Sequence, residues 1–413
     1  MDNLTEQLKT LKQTSKKLAT IPTEIKNQVL TNIALKIEQN KKLITDANTV
    51  DLENAKNNVT PAVYNRLKLD DNKLSSMVEG LKDLVKLEDP INKTLLAREL
   101  DTDLKLYKVS CPIGVLAVIF EARPDVITQV AGLAVKSSNA LVLKGGKEVL
   151  NTNNIIFELI QKAINEVEQY PNNSILQVHS HEEISNLLKM NNYIDLIIPR
   201  GGNNLVNYIQ KNTTIPVLGH ASGVCHIYID ETANLKMAKD IVIDSKMQYP
   251  TACNSVETLL IDEKFPYKDD LINALKDANI QIIENPESWS LEYSSNILSV
   301  KTVANIDEAI LHINTYGSGH TESIVTDKTE NVTKFMNEVD SAGVYHNAST
   351  RFADGYRYGF GAEVGISTNK IHARGPVGLE GLTIYKYKLY GNGQIVKDYV
   401  DGLKQFTHID LTK

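Results

Sequence analysis

Residues 114–147 read GVLAVIFEARPDVITQVAGLAVKSSNALVLKGGK, and this pattern decides the fold. The apolar run 115–120 is strand-sized and is followed by the loop Glu121-Ala122-Arg123-Pro124-Asp125. An apolar helix to about Lys136 leads to a second strand at 140–143, after which Lys144-Gly145-Gly146-Lys147 opens a helix to about Glu168. Strands with no polar face are buried on both sides, and strands joined by helices form parallel βαβ units. Short apolar runs at 175–178, 196–198 and 215–218 extend the series, with helices from His181 and Asn203 between them. The expected fold class is α/β, with a Rossmann-type parallel sheet covered on both faces.

Ligands of such sheets sit beyond the carboxyl ends of the strands. Here those ends carry Arg123-Pro124, Lys144-Gly145-Gly146-Lys147 and Pro199-Arg200-Gly201-Gly202. No Gly-x-Gly-x-x-Gly fingerprint is present. Arg200-Gly201-Gly202-Asn203-Asn204 still offers backbone N–H groups and a helix start to a phosphate. Lys144 and Lys147 are placed to meet an adenosine ribose and its 2′-phosphate, where an acidic residue would favour an unphosphorylated ribose. That points to NADP; a solvated helix start is the competing reading.

A second α/β unit spans 225–380. Strands are expected at 225–229, 256–261, 281–283, 297–300, 324–325 and 344–346, with helices over 235–247 and from near Tyr267, Ile306 and Glu330. At its centre stands Gln248-Tyr249-Pro250-Thr251-Ala252-Cys253-Asn254-Ser255-Val256. Pro250 lacks an N–H and restricts Tyr249, so the preceding helix ends there. Cys253 therefore lies on a tight loop that presents a thiol. A buried structural cysteine is the alternative. Residues 347–376 are rich in Gly, Ala, Arg and aromatics and lack periodicity, the mark of a functional loop. Residues 104–109 and 382–389 alternate with period two and are expected to pair as a flap whose open edge invites a second subunit.

The chain's 413 residues are enough for two or three domains, and the net charge of −7 gives no reason to expect a nucleic-acid or polybasic membrane contact. Residues 1 to about 90 are helical in pattern, with Leu4, Leu8 and Leu11 and then Ile25, Val29, Ile33 and Leu35 recurring about the break Ile21-Pro22-Thr23. No signal peptide is evident, and the longest apolar run, 113–120, is too short to span a bilayer. Three dispersed cysteines, Cys111, Cys225 and Cys253, fit free thiols of a cytoplasmic protein and have no metal-ligand spacing. Only seven arginines occur, and five of them lie in loops. As a group they suit an anionic ligand.

The motifs Phe120-Glu121-Ala122-Arg123-Pro124, Pro199-Arg200-Gly201-Gly202, Leu218-Gly219-His220-Ala221-Ser222-Gly223-Val224-Cys225-His226 and Tyr249-Pro250-Thr251-Ala252-Cys253-Asn254 occur in this order. Asn347-Ala348-Ser349-Thr350-Arg351-Phe352, Gly361-Ala362-Glu363 and His372-Ala373-Arg374-Gly375-Pro376-Val377-Gly378-Leu379-Glu380 follow. With these motifs the chain resembles the aldehyde dehydrogenase superfamily over nearly its whole length, and within it the acyl-phosphate-reducing branch.

The resemblance implies an NADP-binding domain (1–103 and 111–229), a catalytic domain (230–381) and an oligomerisation flap (104–110 and 382–413). It implies NADPH-dependent reduction of L-glutamyl 5-phosphate to L-glutamate 5-semialdehyde and phosphate, the second step of proline synthesis from glutamate. Cys253 matches the family nucleophile, Lys144 the lysine at the adenosine ribose and Glu292 the glutamate at the nicotinamide ribose. Gly145, Lys147, Arg200, Gly201 and Gly202 complete the expected cofactor set. Arg123, His220, Arg351 and Arg374 are the substrate-binding candidates, with Arg351 and Arg374 on the α-carboxylate or phosphate. A homo-oligomer, dimer or tetramer, is implied, and glutamate 5-kinase is a candidate functional partner.

Two departures bear on the chemistry. The stretch 218–223 lacks the glutamate base of the hydrolytic members, and an enzyme that passes its thioester to phosphate has no use for an activated water. The family's oxyanion asparagine has no counterpart near Arg123, leaving the Cys253 N–H, Asn254 or Arg123 as donors. A non-phosphorylating aldehyde dehydrogenase on the same fold is the alternative reading. A cysteine hydrolase without nicotinamide cofactor would need a His and an Asn or Asp aligned with Cys253.

Overall fold

The computed structural model describes residues 2–179, 181–219 and 222–412. The chain forms two compact units: Met1–Gly201 with Tyr208–Val217 and Gly378–Lys413, and Gly202–Asn207 with Leu218–Val377.

In the first unit a parallel sheet runs in the order Ile175–Gln177, Ala140–Lys144, Val115–Phe120, Leu196–Arg200. The strand order reverses between the last two, which makes a topological switch point at the ends of those strands. Phe120 and Arg200 are partners across that gap, and the Glu121 N–H donates to the Arg200 carbonyl at 3.0 Å. Val115–Phe120 and Ala140–Lys144 are buried along their whole length, as their unbroken apolar runs require. Residues 215–218 contribute only a single bridge, Val217 to Ile197.

Helices Asp2–Leu18, Thr23–Gln39, Lys41–Ala55, Pro61–Leu67 and Asp71–Lys86 account for the N-terminal pattern. Leu35 is 46 % exposed, however, and the buried stripe of Thr23–Gln39 is Val29, Leu30, Ile33, Ala34 and Ile37. Two residues beyond Ile33, Leu35 points round the helix from it.

A second sheet in this unit pairs Thr383–Tyr390 with Leu104–Pro112 antiparallel along their whole length, Tyr387 opposite Lys108. Thr94–Asp101 continues it on the other side of Leu104–Pro112, and Ile409–Asp410 closes it. The domain boundary expected at residue 103 therefore falls inside a hairpin. Thr94–Asp101 (TLLARELD) is built of helix formers, and its strand conformation comes from cross-strand pairing.

The second unit holds a six-stranded parallel sheet in the order Gly343–His346, Thr321–Val325, Cys225–Ile229, Val256–Asp262, Ile297–Val303, Gln281–Ile283. Strand alternation sorts its two cores. Ile227, Ile229, Leu259 and Ile261 pack with helices Leu235–Met247 and Lys268–Asp277, whereas Tyr228 and Leu260 pack with Ile306–Tyr316 and Thr329–Glu338. The aperiodic tract after Asn347 contains the short helical turn Thr350–Phe352 and the two-residue pair Ile366–Ser367 with Gly375–Pro376. Among the described residues no helix is long and apolar enough to cross a membrane.

Candidate active site

Helix Leu235–Met247 stops just before Pro250, and the chain turns twice before strand Val256–Asp262. The Ala252 N–H donates to the Tyr249 carbonyl at 3.1 Å, and the Ser255 N–H to the Ala252 carbonyl at 2.9 Å. Cys253 sits between these turns and is partly exposed. Gly223 lies against it: a Cβ at 223 would stand 1.9 Å from the Cys253 carbonyl oxygen. On the neighbouring strand, Cys225 Sγ donates to that carbonyl at 3.4 Å. Burial, and then Glu322, push the Cys225 thiol well above its usual range, so it stays protonated. Cys111 is also raised by burial. The described geometry thus singles out Cys253 as the thiol presented on a turn.

One wall of this loop comes from the tract that the sequence marks as functional. Asn254 Nδ2 donates to the Ala353 carbonyl at 2.8 Å, and Thr350 Oγ1 donates to the Asn254 carbonyl at 2.7 Å. Ser245 on the incoming helix bonds Ser349 Oγ at 3.0 Å and accepts from the Thr350 N–H at 3.2 Å. These bonds fix Arg351, which is 8 % exposed and donates from Nε to Gln248 Oε1 at 2.9 Å. Burial, with the Arg357 charge, lowers the proton affinity of Arg351, and the Cys253 sulfur opposes that shift. A guanidinium and the thiol thus share one electrostatic environment. With one N–H spent on Ala353, Asn254 acts first on the wall of the loop. Arg374 lies elsewhere in its bonding: it donates to Asp340 at 2.9 Å, alongside Lys370.

Behind the loop stands a pair that sequence reading missed. Lys246 Nζ, two residues before Gln248, meets Glu257 Oε2 at 2.8 Å, and both side chains are fully buried. The only hint in the sequence is that the two charges flank the Cys253 loop. Glu292 is half-buried and accepts from Asn203 Nδ2 at 3.5 Å, at the start of helix Asn203–Asn212 that follows Gly202. The second unit therefore brings Cys253, Asn254 and Arg351 together, and joins Glu292 to Asn203. His220 lies outside the described residues.

The first unit holds the other expected cofactor residues. Lys144, at the end of its strand, is buried and donates to the Gly145 carbonyl at 2.5 Å. A Cβ on Gly145 would stand 2.2 Å from Asn153 Nδ2 and 3.1 Å from the Phe120 ring, so a side chain there would have to push both aside. Lys147 is exposed at the head of the next helical segment. Glu148, beside it, is turned inward and accepts from the Ala122 N–H at 2.7 Å, where Ala122 takes a left-handed φ of 49°. Its charge thus braces the loop carrying Arg123. Arg200 and Gly201 end the strand at the switch point. Two lysines around a close-packed glycine turn, and an arginine at the strand-order reversal, suit a dinucleotide's phosphates and ribose.

Comparison with known proteins identifies the family. The aldehyde dehydrogenase family model matches residues 2–291. A gamma-glutamyl phosphate reductase from Brachyspira hyodysenteriae is 53 % identical, covering 98 % of this chain and 99 % of its own. Another from Acetivibrio thermocellus is 48 % identical, covering 100 % and 99 %. The crystal structure of gamma-glutamyl phosphate reductase from Thermotoga maritima superposes with a TM-score of 0.92 at 36 % identity, over 95 % of this chain and 99 % of that one. An acetylating aldehyde dehydrogenase from Geobacillus thermoglucosidasius, 18 % identical with a TM-score of 0.70 over 95 % and 97 %, shares the fold. Members of the family use a nicotinamide dinucleotide, NAD or NADP. The chain belongs to the aldehyde dehydrogenase family, and within it to the group of the gamma-glutamyl phosphate reductases.

Proposed function

We propose that this chain reduces L-glutamyl 5-phosphate with NADPH to L-glutamate 5-semialdehyde and phosphate, the second step of proline synthesis, through a thioester on Cys253. The observation that carries the reading is the partly exposed Cys253 on a turn closed by the Gly223 backbone and coupled to the Arg351 guanidinium. The identity with reductases named for this substrate supports the choice of acyl group.

The Cys253 thiolate attacks the acyl carbonyl, the C–S bond forms and phosphate leaves with the C–O bonding pair. An acyl phosphate is an activated ester, so departure needs little acid assistance. When bound, the reduced dinucleotide supplies the hydride that takes the thioester carbon to the aldehyde level. The carbonyl oxygen's negative charge then collapses to C=O and expels the Cys253 thiolate, which restores the starting state. The Cys253 backbone N–H, Asn254 or Arg123 stabilises that charge. Arg351 holds the α-carboxylate or phosphate by its planar fork, with Arg374 as a second candidate. His220 remains a substrate-binding candidate. Lys144, Gly145, Lys147, Arg200, Gly201, Gly202 and Glu292 are the cofactor-holding set, and Lys147 is the residue that selects the 2′-phosphate. The proposed domains are the cofactor and catalytic parts with a flap around Thr383–Tyr390, through which the protein forms a dimer or tetramer. It works in the cytoplasm, in functional coupling with glutamate 5-kinase.

The deciding assay is the reverse reaction. Glutamate 5-semialdehyde should drive NADP reduction only when phosphate is supplied; turnover without phosphate would identify a non-phosphorylating dehydrogenase. Cys253→Ser should keep the circular dichroism of the parent and lose at least about a thousandfold in turnover.

A further inference from the structure

We propose that Glu257, held by Lys246, is a positioning residue that ties the Cys253 loop to the segment bearing Glu292, so that cofactor occupancy and thiol placement are coupled. The inference rests on the functional reading above.

Glu257 belongs to the strand that leaves the Cys253 loop, and Lys246 to the helix that enters it. Their 2.8 Å contact clamps both ends of an eight-residue excursion, and the Ser255 hydroxyl reaches back to the Lys246 carbonyl at 3.5 Å. Only one carboxylate oxygen is used in this way. Glu257 Oε1 is buried and has no hydrogen-bond partner. A buried, unpartnered carboxylate oxygen is unusual in a native protein and calls for an explanation. Besides Lys246, the Tyr293 backbone N–H favours the negative charge of the Glu257 carboxyl, yet Oε1 has no hydrogen bond from it.

Tyr293 follows Glu292 directly. Its hydroxyl bonds Ser299 Oγ at 2.7 Å, and Ser299 is the strand partner of Thr258, the residue after Glu257. The segment is therefore anchored on one side and open on the other. Glu292 itself acts on both members of the pair: its charge raises the proton affinity of Glu257 and of Lys246, against or alongside burial. Lys246 also feels Cys225, whose thiol reaches the Cys253 carbonyl. A ribose held by Glu292 shifts the Tyr293 N–H towards Oε1, and closure of that contact is felt at the base of the nucleophile loop. Catalytic hydrogen bonds that are long in the free protein tighten in this manner on ligand binding.

The test is run on the full-length protein and reads binding and thiol chemistry instead of turnover. Iodoacetamide alkylation of Cys253 is followed by peptide mass spectrometry, with and without saturating NADPH, and NADPH affinity by fluorescence titration. In the parent protein NADPH should change the alkylation rate by about fivefold or more. The double variant Lys246→Met with Glu257→Leu replaces a buried ion pair by apolar side chains of similar volume, an exchange that commonly preserves folding. It should bind NADPH about tenfold more weakly, and its alkylation rate should no longer respond to NADPH. Glu257→Gln keeps one acceptor oxygen, which can serve Lys246 or the Tyr293 N–H but not both, and should restore the response only in part. Tyr293→Phe leaves the ion pair intact but frees the segment from Ser299, and should weaken the response part-way. NADPH binding and a thiol response left at parental levels in the double variant, or in Tyr293→Phe if the double variant does not fold, would overturn the inference. No NADPH binding by the parent protein would overturn the functional reading and this inference with it.

Discussion

Gly223 and Cys253 touch through their backbones: a Cβ on Gly223 would come to 1.9 Å from the Cys253 carbonyl oxygen and 2.6 Å from its Cα. No side chain fits there without moving the nucleophile loop, and a base carried at this position could not stand beside the thiol. Gly223→Ala should therefore displace Cys253 by a sizeable fraction of an ångström. Misplacing a reacting atom by that much costs on the order of a hundredfold in kcat. Steady-state kinetics beside a melting curve checks it. A folded Gly223→Ala protein with parental kcat would show that the contact does not position the thiol.

Lys147 is exposed, whereas Lys144 is buried against its own turn. Only the first can reverse its charge without cost to the core. Lys147→Glu should lower kcat/KM for NADPH relative to NADH by about tenfold or more, because an anion would then face the 2′-phosphate across a water-rich gap. The measurement is the ratio of the two specificity constants. An unchanged ratio would remove Lys147 from cofactor selection.

Arg351 and Arg374 are separated by their surroundings. Arg351 is nearly buried, oriented by Gln248 and coupled to Cys253, while Arg374 shares the surface carboxylate of Asp340 with Lys370. Truncating a preoriented, desolvated guanidinium that holds an anion costs about 2 to 5 kcal/mol, against about 0 to 1 kcal/mol for an exposed pair. Arg351→Met should raise KM for the acyl phosphate by about thirtyfold or more, and Arg374→Met by less than about fivefold. Equal effects would place both arginines on the substrate.

The fold was legible where one physical cause dominates. An unbroken apolar run such as Val115–Phe120 can only be a doubly covered strand, and Pro250 followed by Val256 forces the Cys253 turn. Legibility failed where partners distant in sequence decide. Thr94–Asp101 is a strand because Leu104–Pro112 pairs with it, against its own helix-forming residues. Within the site, Cys253 and Arg351 carry recognisable motifs, but the bond from Arg351 to Gln248 spans 103 positions. The pairing of Lys246 with Glu257 is closer in sequence, yet nothing in two ordinary charges eleven positions apart announces that both are buried. Asp340, the partner of Arg374, is equally silent in the sequence.

His312 contributes to the acid dependence of stability. It is 3 % exposed on helix Ile306–Tyr316, with ring centroids 4.7 Å from Tyr316, 5.0 Å from Trp289 and 5.5 Å from His226. Both ring nitrogens are buried without a hydrogen-bond partner. Burial, then His226 and Lys301, lower its pKa from 6.5 to about 3, while Glu308 opposes them. The unfolded chain therefore binds a proton at this position between about pH 6.5 and 3 that the folded protein refuses, so this contribution to stability is complete above about pH 6.5 and falls as the solution is acidified. The loss approaches about 1.4 kcal/mol per pH unit. His312→Phe keeps an aromatic ring among the same neighbours and removes the titration. Between about pH 7.5 and 5 the variant should lose about 2 kcal/mol less stability than the parent in urea denaturation. Identical losses in the two proteins would mean that His312 accepts its proton in the folded state, through a partner for its ring nitrogens.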